Sequence, residues 1–237
     1  MSIPDARLYL LFTPAACAGD PWATLAEALR GGVEMVQWRV KEGDRAGADR
    51  AKAMCDAAGV PFVVNDDPTL AVRTSAHGVH LGQEDAPVAA VQRVLGRRWI
   101  GVSTHSVEQI KEAVADGATY VGFGPCFPTA TKGYTEGKRI EEIAEAVRNC
   151  PLPLFAIGGI RADNLPQLLR AGVRRIAVSS AVLQAADPRA AAAELRSMLR
   201  ERRAQAAAQA TAMTAAPTPL ATATAEAQTT SMASPNE

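Results

Sequence analysis

The sequence lacks long hydrophobic runs and any excess of one charge. No apolar run approaches the length of a membrane span, and Asp5 lies where a signal peptide would be apolar. Lysine plus arginine and aspartate plus glutamate number 25 each, so no overall field attracts nucleic acid or an acidic membrane. We therefore expect neither partner, and any site for an anion must be built locally from a few side chains.

Cysteine and histidine are scarce, and neither has the spacing of a metal site. The four cysteines are Cys17, Cys55, Cys126 and Cys150. The three histidines, His77, His80 and His105, are too few and too spread for a zinc site. The sequence around Cys126 has no nucleophile pattern. We expect reduced, mostly buried thiols in a cytoplasmic protein.

The last part of the chain has few large apolar side chains. From about residue 204 the composition changes to alanine, threonine, glutamine, serine and proline. Such a segment cannot bury enough surface to offset the entropy lost on ordering. We expect one folded domain over residues 1–203 and a disordered Ala/Thr/Pro-rich tail over residues 204–237, with the last helix able to extend into the start of the tail.

One strand–helix unit recurs through the folded part. Apolar runs that read as strands lie at residues 8–13, 33–39, 61–65, 78–82, 99–103, 119–124, 153–158 and 175–179, with helical patterns between them. Asp-Pro pairs begin predicted helices at Asp20, Asp67 and Asp187. Glycines are expected to end helices at Gly32, Gly59, Gly117 and Gly172. Ser106 and Gln109 form a candidate capping box.

Eight strands alternating with helices imply parallel pairing with right-handed crossovers. Eight units in about 200 residues favour a closed barrel over an open sheet. The first strand is not followed by GxGxxG, which weighs against a dinucleotide-binding sheet. The predicted fold class is α/β, a (β/α)8 TIM barrel.

A loop rich in phosphate-binding groups follows the sixth apolar run. Residues 124–132 read GPCFPTATK, with hydroxyls at Thr129 and Thr131 and an ammonium at Lys132. Backbone N–H groups, hydroxyls and ammonium groups are what a loop needs to hold phosphate oxygens. An ordinary strand-to-helix turn is the alternative, so the interpretation depends on the other strand ends.

In such barrels, chemistry is carried at the carboxyl ends of the strands. Arg39, Lys41 and Lys132 bring three cations to this end, and Asp66 and Asp85 bring carboxylates from neighbouring strands. This combination suits a polyphosphate bound through Mg²⁺, because carboxylates and phosphate oxygens share the hard ion while arginine and lysine balance the remaining charge. The alternative is that both aspartates only cap helices and the cations form surface ion pairs.

A second anion site is predicted at the ends of the seventh and eighth strands. Gly158-Gly159 and Ser179-Ser180 occupy the positions of the phosphate site that is common in this fold. A diphosphate–metal site and a separate monophosphate site together imply two small-molecule substrates.

The chain resembles the thiamine-phosphate synthase family. The matching segments are GGVEMVQWRVK (31–41), PFVVNDD (61–67), GVHLGQED (78–85), IGVSTH (100–105), YVGFGPCFPTATK (120–132), AIGGI (156–160) and VSSA (178–181). They cover the folded part in order and exclude the tail. The resemblance implies that 4-amino-2-methyl-5-hydroxymethylpyrimidine diphosphate and 4-methyl-5-(2-hydroxyethyl)thiazole phosphate are joined to thiamine monophosphate and pyrophosphate.

The resemblance also implies roles for individual residues. The pyrimidine diphosphate would be held by Gln37, Arg39, Lys41, Asn65 and Lys132, with Trp38 and Val40 of the same segment in the substrate-binding set. Mg²⁺ would be bound by Asp66 and Asp85, and Ser103 would contact the pyrimidine. The thiazole phosphate would be held by Thr129, Ala130, Thr131, Gly159, Ser179 and Ser180. The predicted catalytic residues are Arg39, Lys41, Ser103 and Lys132.

The expected chemistry is a dissociative substitution with no covalent enzyme intermediate. Loss of pyrophosphate leaves a cation that the electron-rich aminopyrimidine stabilises, so the enzyme mainly neutralises charge on the leaving group.

The chain departs from the family pattern at two places. The segment between Lys41 and Asn65 is shorter than the family pattern, and Pro14, at the end of the first strand, stands where relatives often carry aspartate. We therefore assign no role to the first strand end.

Two other functions stay open. A thiazole tautomerase-like isomerase would share the barrel and could use His105 as acid or base, but it would not need a diphosphate–Mg²⁺ site. A non-catalytic ligand-binding barrel would bind ligand without turnover. The sequence leaves open a homo-oligomer, the choice between Mg²⁺ and Mn²⁺, and a carboxylated thiazole substrate.

Overall fold

Eight parallel strands close into a barrel in the computed structural model, which describes residues 3, 5–40, 45–129 and 135–214. The strands are β1 (Leu8–Phe12), β2 (Met35–Trp38), β3 (Phe62–Asn65), β4 (Gly78–Leu81), β5 (Trp99–Thr104), β6 (Tyr120–Phe123), β7 (Leu154–Ile157) and β8 (Ile176–Val178). Each strand pairs with the next in chain order, and β8 closes on β1 with Leu8 opposite Ile176. The predicted TIM barrel is confirmed.

Helices connect the strands on the outside of the barrel. They are α1 (Pro21–Arg30), α2 (Arg45–Ala57), α3 (Pro68–Arg73), α4 (Val88–Leu95), α5 (Val107–Ala115), α6 (Ile140–Asn149), α7 (Leu165–Arg170), α8 (Ser180–Leu183) and α9 (Pro188–Thr214). A short 3₁₀ turn over Pro14–Ala16 follows β1. No helix in the described ranges is both long and apolar enough to cross a membrane.

The predicted helix boundaries are borne out by the capping bonds. The carboxylates of Asp20, Asp67 and Asp187 accept from the backbone N–H three residues on, at 2.7, 2.8 and 2.9 Å. Ser106 caps α5 at 3.2 Å from the Gln109 N–H, but the Gln109 side chain accepts from the His105 N–H instead of completing a capping box. The four predicted helix-ending glycines all have positive φ, which glycine adopts without steric cost.

The apolar side chains form two layers, because alternate residues of a strand face opposite sides. The larger cluster lies between the strands and the helices and contains the bulk of the buried aliphatic residues. The smaller cluster fills the barrel interior with Ala6, Tyr9, Leu11, Met35, Val63, Trp99, Tyr120, Phe155 and Ala177. Large rings therefore fill much of the barrel interior.

The chain divides into two compact units. One unit comprises Met1–Arg203 and contains the barrel, and the other comprises Ala204–Glu237. Helix α9 continues to Thr214, so the last helix runs into the alanine-rich segment. The prediction of disorder for residues 215–237 falls outside the described residues.

Candidate active site

Two connected cavities open at the carboxyl ends of the strands. The first, called the cleft below, holds about 680 Å³ counted to its open mouth. The cleft is lined by Leu11, Arg39, Ser103, Thr104, His105, Gly122, Gly124, Pro125, Thr129, Ile157, Gly158, Gly159, Ile160, Ala177, Ser179 and Ser180.

The second cavity, called the floor cavity, lies toward the barrel interior and holds about 380 Å³ on the same measure. It is lined by Tyr9, Leu11, Gln37, Arg39, Asn65, His80, Ser103, Tyr120, Gly122, Phe155, Ile157 and Ala177. Six residues line both cavities, and Arg39 and Ser103 are the two with polar side chains; the others are Leu11, Gly122, Ile157 and Ala177. Two ligand spaces therefore meet at one cation and one hydroxyl.

Close backbone packing shapes the cleft beside β7. Gly158 and Gly159 have φ of 98° and 61°, in the left-handed region that favours glycine. A Cβ on Gly159 would lie 2.4 Å from the Pro128 carbonyl oxygen, so glycine is what lets the loop after β6 approach the end of β7. The Phe127 N–H donates to the Gly158 carbonyl at 3.1 Å and holds the two segments together.

Hydroxyl groups line the same part of the cleft. Thr129 comes from the loop after β6, and Ser179 and Ser180 come from the end of β8 and the start of α8. The first N–H groups of a helix have no partner within the helix, so this corner presents N–H and O–H donors together. Thr129, Gly159, Ser179 and Ser180, which the resemblance assigns to one phosphate, all line this cleft.

The end of β3 presents an exposed carboxylate in a backbone conformation that is unusual for a non-glycine residue. Asp66 has a φ of 61°, and its N–H donates to the His80 carbonyl of β4 at 2.8 Å. Its neighbour Asp67 is the residue that caps α3. Asp66 therefore does not cap a helix, and the Asn65 side-chain amide donates to its carboxylate.

Asp85 is exposed in the loop that follows β4. Its Oδ2 accepts from the Gly82 N–H at 2.5 Å, and the N-cap of α4 is Pro87. The alternative in which Asp66 and Asp85 serve only as helix caps is thus wrong. Arg39, which lines both cavities, is also not the surface side chain of that alternative.

The two aspartates fit a hard cation as a partial set of ligands. Asp66 and Asp85 follow neighbouring strands and offer carboxylate oxygens, and Mg²⁺ is usually held by one or two carboxylates together with phosphate oxygens and water. Within the described ranges, no group of three or more histidine, cysteine, aspartate or glutamate residues could hold a metal. Phosphate oxygens of a substrate would have to complete the coordination.

Side chains at the end of β2 and just after it face either the floor cavity or the helix layer. Gln37 is 2% exposed and Arg39 is partly exposed, and both line the floor cavity. Trp38 faces the helix layer, where its ring stacks on Trp22 with centroids 6.4 Å apart. Val40 also packs against the outer core. For Trp38 and Val40, only the backbone is on the side of the predicted ligand.

The floor cavity contains polar residues that the sequence analysis did not assign to the site. Tyr9 and Tyr120 come from β1 and β6, and the ring of His80 from β4 lies between Tyr120 and Ser103. Burial raises the pKa of both tyrosines well above its ordinary value, so both phenols stay protonated. The alternation of side chains along a strand could have identified them from sequence, since Tyr9, Tyr120 and His80 are polar residues at inward-facing positions of apolar strands.

The cleft wall contains a histidine and covers a thiol. His105 lies against the Gly124 carbonyl, with 2.6 Å from Nδ1 to the oxygen. Cys126 is buried beneath the loop after β6, and burial raises the pKa of its thiol to about 12. A thiol with this pKa is protonated at neutral pH, which agrees with the absence of a nucleophile pattern around it.

Four predicted residues cannot be placed. Lys41, Ala130, Thr131 and Lys132 lie outside the described residues. Their predicted roles rest on their motifs and on the placed residues beside them, Val40 and Thr129.

Known proteins resemble this chain over the whole barrel. A family model described as Thiamine monophosphate synthase matches residues 8–182. The Thiamine-phosphate synthase of Methylococcus capsulatus is 42% identical over 205 residues, which cover 84% of this chain and 91% of that protein. The protein of the same name from Bacillus velezensis is 37% identical over 206 residues, which cover 83% and 92%.

A solved structure also resembles the fold of this chain. The thiamine phosphate pyrophosphorylase of Pyrococcus furiosus superposes with a TM-score of 0.76 at 32% identity. The match covers 84% of this chain and 97% of that one. The family model and both sequence relatives span the strand ends that build the cleft and the floor cavity.

Proposed function

The chain belongs to the thiamine monophosphate synthase family, and from that premise we propose that it joins an aminopyrimidine to a thiazole. The substrates are 4-amino-2-methyl-5-hydroxymethylpyrimidine diphosphate and 4-methyl-5-(2-hydroxyethyl)thiazole phosphate, and the products are thiamine monophosphate and pyrophosphate. The chain is an enzyme of the transferase class. The observation that carries the proposal is the junction of two ligand cavities at Arg39 and Ser103, since two substrates must meet at one point.

The floor cavity is the proposed place of the pyrimidine. Gln37, Arg39, Asn65 and Ser103 supply polar groups to a space whose other lining side chains are rings, three of which carry polar atoms, and aliphatic groups. Such a lining suits a flat heterocycle that needs a few hydrogen bonds to fix its orientation. The diphosphate then extends past Arg39 toward the ends of β2 and β3, beside the backbone of Trp38 and Val40. Lys41 and Lys132 are assigned to the same diphosphate from their motifs alone.

The cleft is the proposed place of the thiazole phosphate. Its phosphate is held by Thr129, Ala130, Thr131, Gly159, Ser179 and Ser180. Of these, the four placed residues line one corner of the cleft through hydroxyl and backbone groups. Neutral donors of this kind bind a phosphate by geometry, with no need for a cation at each oxygen.

The metal in this proposal is Mg²⁺, held by the carboxylates of Asp66 and Asp85 together with oxygens of the diphosphate. When bound, it stabilises the negative charge of the departing pyrophosphate. The exposed position of both carboxylates supports this role, because the cation must arrive with the substrate.

In the proposed reaction, the bond between the pyrimidine methylene carbon and the diphosphate oxygen breaks first. Its electron pair leaves with pyrophosphate, and the aminopyrimidine ring stabilises the resulting cation. The thiazole nitrogen then gives its lone pair to the methylene carbon, which forms the new C–N bond. Arg39, Lys41 and Lys132 balance the charge that grows on the leaving group, and Ser103 holds the pyrimidine in line with the thiazole.

The same proposal covers location and domain structure. All four cysteines are free thiols, as expected in the reducing cytoplasm, where we place the enzyme. Residues 1–203 contain every residue given a role, so we assign the activity to that segment.

Formation of thiamine phosphate tests the proposal directly. The two substrates are incubated with the protein in Mg²⁺ and in EDTA, and product is oxidised to fluorescent thiochrome. We expect product in Mg²⁺ and none in EDTA. Absence of product from folded protein in Mg²⁺ would contradict the proposal, and isomerisation of the thiazole phosphate by the same sample would identify a tautomerase instead.

A further inference from the structure

A continuous chain of hydrogen bonds crosses the barrel interior from β2 to β5. The Gln37 Nε2 donates to the Tyr9 Oη at 2.9 Å, and the Tyr9 and Tyr120 hydroxyls are 3.1 Å apart. The Tyr120 hydroxyl lies 3.1 Å from the Nδ1 of His80, and the Nε2 of His80 lies 3.0 Å from the Ser103 Oγ. These five residues, called the relay below, join the two predicted pyrimidine contacts Gln37 and Ser103 through three residues without an assigned role.

The relay is built into the core and is not a surface arrangement. Tyr9 and Tyr120 are at most 1% exposed, and His80 is 8% exposed. The tyrosine rings meet each other and Phe155 edge to face, with centroids 5.2 to 6.1 Å apart. Rings packed on several sides keep one orientation, so the hydroxyl positions are fixed.

A glycine in β5 makes the centre of the relay possible. A Cβ on Gly101 would lie 2.1 Å from the Cζ of Tyr120 and 2.5 Å from the Nδ1 of His80. Both distances are far below van der Waals contact, so any larger residue would displace the two groups that exchange this hydrogen bond. The space for the His80–Tyr120 contact is therefore provided by the strand beside them.

The Gln37 amide donor at one end of the relay favours one direction of donation along it. The Tyr9 oxygen accepts a hydrogen bond from the Gln37 amide, and among the described residues the Tyr120 oxygen lies within reach of the Tyr9 hydroxyl proton. Tyr120 then has its proton free for the Nδ1 of His80, because a hydroxyl donates only one. A neutral histidine that accepts at Nδ1 carries its proton on Nε2 and donates it to Ser103.

We propose that the relay fixes the Ser103 hydroxyl as a hydrogen-bond donor toward the floor cavity, with Tyr9, Tyr120 and His80 as positioning residues. Because the Ser103 oxygen accepts from His80, its proton points away from the relay. At the other end, the Gln37 carbonyl oxygen takes no part in the relay and offers an acceptor. The floor cavity thus selects a nitrogen heterocycle with a ring-nitrogen acceptor and an amino donor, and this inference rests on the proposed function.

The tautomer of His80 is a direct test that needs no substrate. The ¹⁵N chemical shifts of the ring distinguish neutral Nε2–H, neutral Nδ1–H and the cation. The chain has three histidines, so spectra of His77→Gln and His105→Gln variants identify the His80 signals. We expect His80 as neutral Nε2–H at pH 7.5, and finding either other form would overturn the proposed direction.

The second test breaks the relay at one oxygen. Tyr120→Phe keeps the ring and removes the hydroxyl that connects Tyr9 to His80. We expect KM for the pyrimidine diphosphate to rise about tenfold, the loss expected for one well-placed hydrogen bond, while KM for the thiazole phosphate changes little. Mixed His80 tautomers should accompany that change.

Met35→Val is the matched control, because Met35 lies opposite Tyr9 in the β1–β2 pairing and in the same interior cluster, but lines neither cavity and takes no part in the relay. It should lower thermal stability and leave both KM values within about twofold, as expected if only packing is lost. Equal effects of Tyr120→Phe and Met35→Val on the pyrimidine KM would overturn the relay. If His80 has the expected tautomer but the protein forms no thiamine phosphate, the relay is supported and only the proposed function is contradicted.

A pyrimidine analogue tests the selectivity. The analogue with the ring nitrogens replaced by CH keeps the shape but cannot accept from Ser103. As a competitor of the pyrimidine diphosphate, it should bind wild type about tenfold more weakly than the matched nitrogen-containing inhibitor, and this difference should shrink in Tyr120→Phe. Equal discrimination by both proteins would contradict the proposed donor role of Ser103.

Discussion

The two sides of the cavity mouth are built from different chemical groups. On the side of β2, β3 and β4, charged side chains dominate, with Arg39 lining both cavities and Asp66 and Asp85 exposed at strand ends. On the side of β6, β7 and β8, the described lining residues are almost all neutral, and glycines bring backbone segments together until a Cβ on Gly159 would overlap the Pro128 carbonyl. One side depends on charge and the other on close packing.

The difference matches the chemistry proposed for each side. A leaving diphosphate gains charge during the reaction, so mobile charged groups and a cation are useful where it departs. A phosphate that only anchors its substrate keeps the same charge throughout, and fixed neutral donors hold it equally well before and after. Removing a group from the charged side should therefore lower kcat, whereas disturbing the neutral side should raise KM.

The largest effect is expected from the carboxylate of Asp66. Asp66→Ala should lower kcat by roughly 10²-fold or more, because it removes a group proposed to act on transition-state charge. Thiochrome kinetics at saturating substrates measure this loss. Lys132→Ala should give a loss of similar size if the lysine acts on the same leaving group.

Asp67→Ala is the matched control, since Asp67 is the next residue and has a purely structural bond to the Leu70 N–H at 2.8 Å. This variant should lose about 1 kcal/mol of unfolding free energy, as for other helix N-caps, and keep its kcat. Near wild-type turnover in Asp66→Ala, or a larger loss in Asp67→Ala, would reverse the assignment of the two aspartates.

On the neutral side, Gly159→Ala should affect substrate binding more than turnover. The new Cβ would meet the Pro128 oxygen at 2.4 Å and push away the loop that carries Thr129. We expect KM for the thiazole phosphate to rise about tenfold, since one or two phosphate contacts are lost. Steady-state kinetics with the pyrimidine diphosphate held saturating measure this value.

Gly59→Ala separates backbone strain from loop displacement. Gly59 has a φ of 65°, close to the 61° of Gly159, but a Cβ there would have nothing within 4 Å. Both variants should lose about 1–2 kcal/mol from the left-handed conformation, while only Gly159→Ala changes KM. A change in KM that is the same in both variants would argue against the role of close packing.

The fold and much of the site follow from local sequence rules. The chain is divided into strand–helix units by Asp-Pro caps at Asp20, Asp67 and Asp187 and by glycines after the helices. These rules hold because capping depends on a few neighbouring atoms. Once eight parallel strands are expected, topology alone places Arg39, Ser103 and Ser179 at the same end. The comparisons with known proteins do not test individual residues, so the roles of the site residues stay predictions.

Other parts depend on which side of a strand faces inward and on contacts between distant strands. Trp38 lies between Gln37 and Arg39 in the motif, yet it packs outward because consecutive strand residues face opposite sides. Tyr9 and Tyr120 are 111 residues apart, and their hydrogen bond exists only because the barrel closes. Sequence spacing contains no direct signal for such a contact.

A smaller effect is expected at the opposite end of β4, away from both sides of the mouth. Burial, with a contribution from Lys52, lowers the pKa of His77 below its ordinary value of 6.5. The unfolded chain therefore binds this proton at higher pH than the folded protein, so stability is full above pH 6.5 and is lost as pH falls through the lower folded pKa. As pH falls through this window, the Tm of His77→Gln should decrease less steeply than the Tm of wild type. Equal slopes of Tm against pH would contradict the assignment of this pH dependence to His77.

The smallest effect on activity is expected at the thiol beneath the neutral side. The pKa of Cys126 is about 12, so at pH 8 only about one thiol in ten thousand is ionised. Iodoacetamide should modify the half-buried Cys17 and Cys150 first and leave Cys126 and Cys55 unlabelled in the folded enzyme, as read by peptide mass spectrometry. Turnover should survive this treatment, because neither side of the mouth is proposed to use a covalent intermediate. The opposite result would be rapid labelling of Cys126 that substrate slows and that abolishes turnover. It would indicate a nucleophile on the neutral side, and the contrast between a charged side that acts in catalysis and a neutral side that only binds would then be wrong.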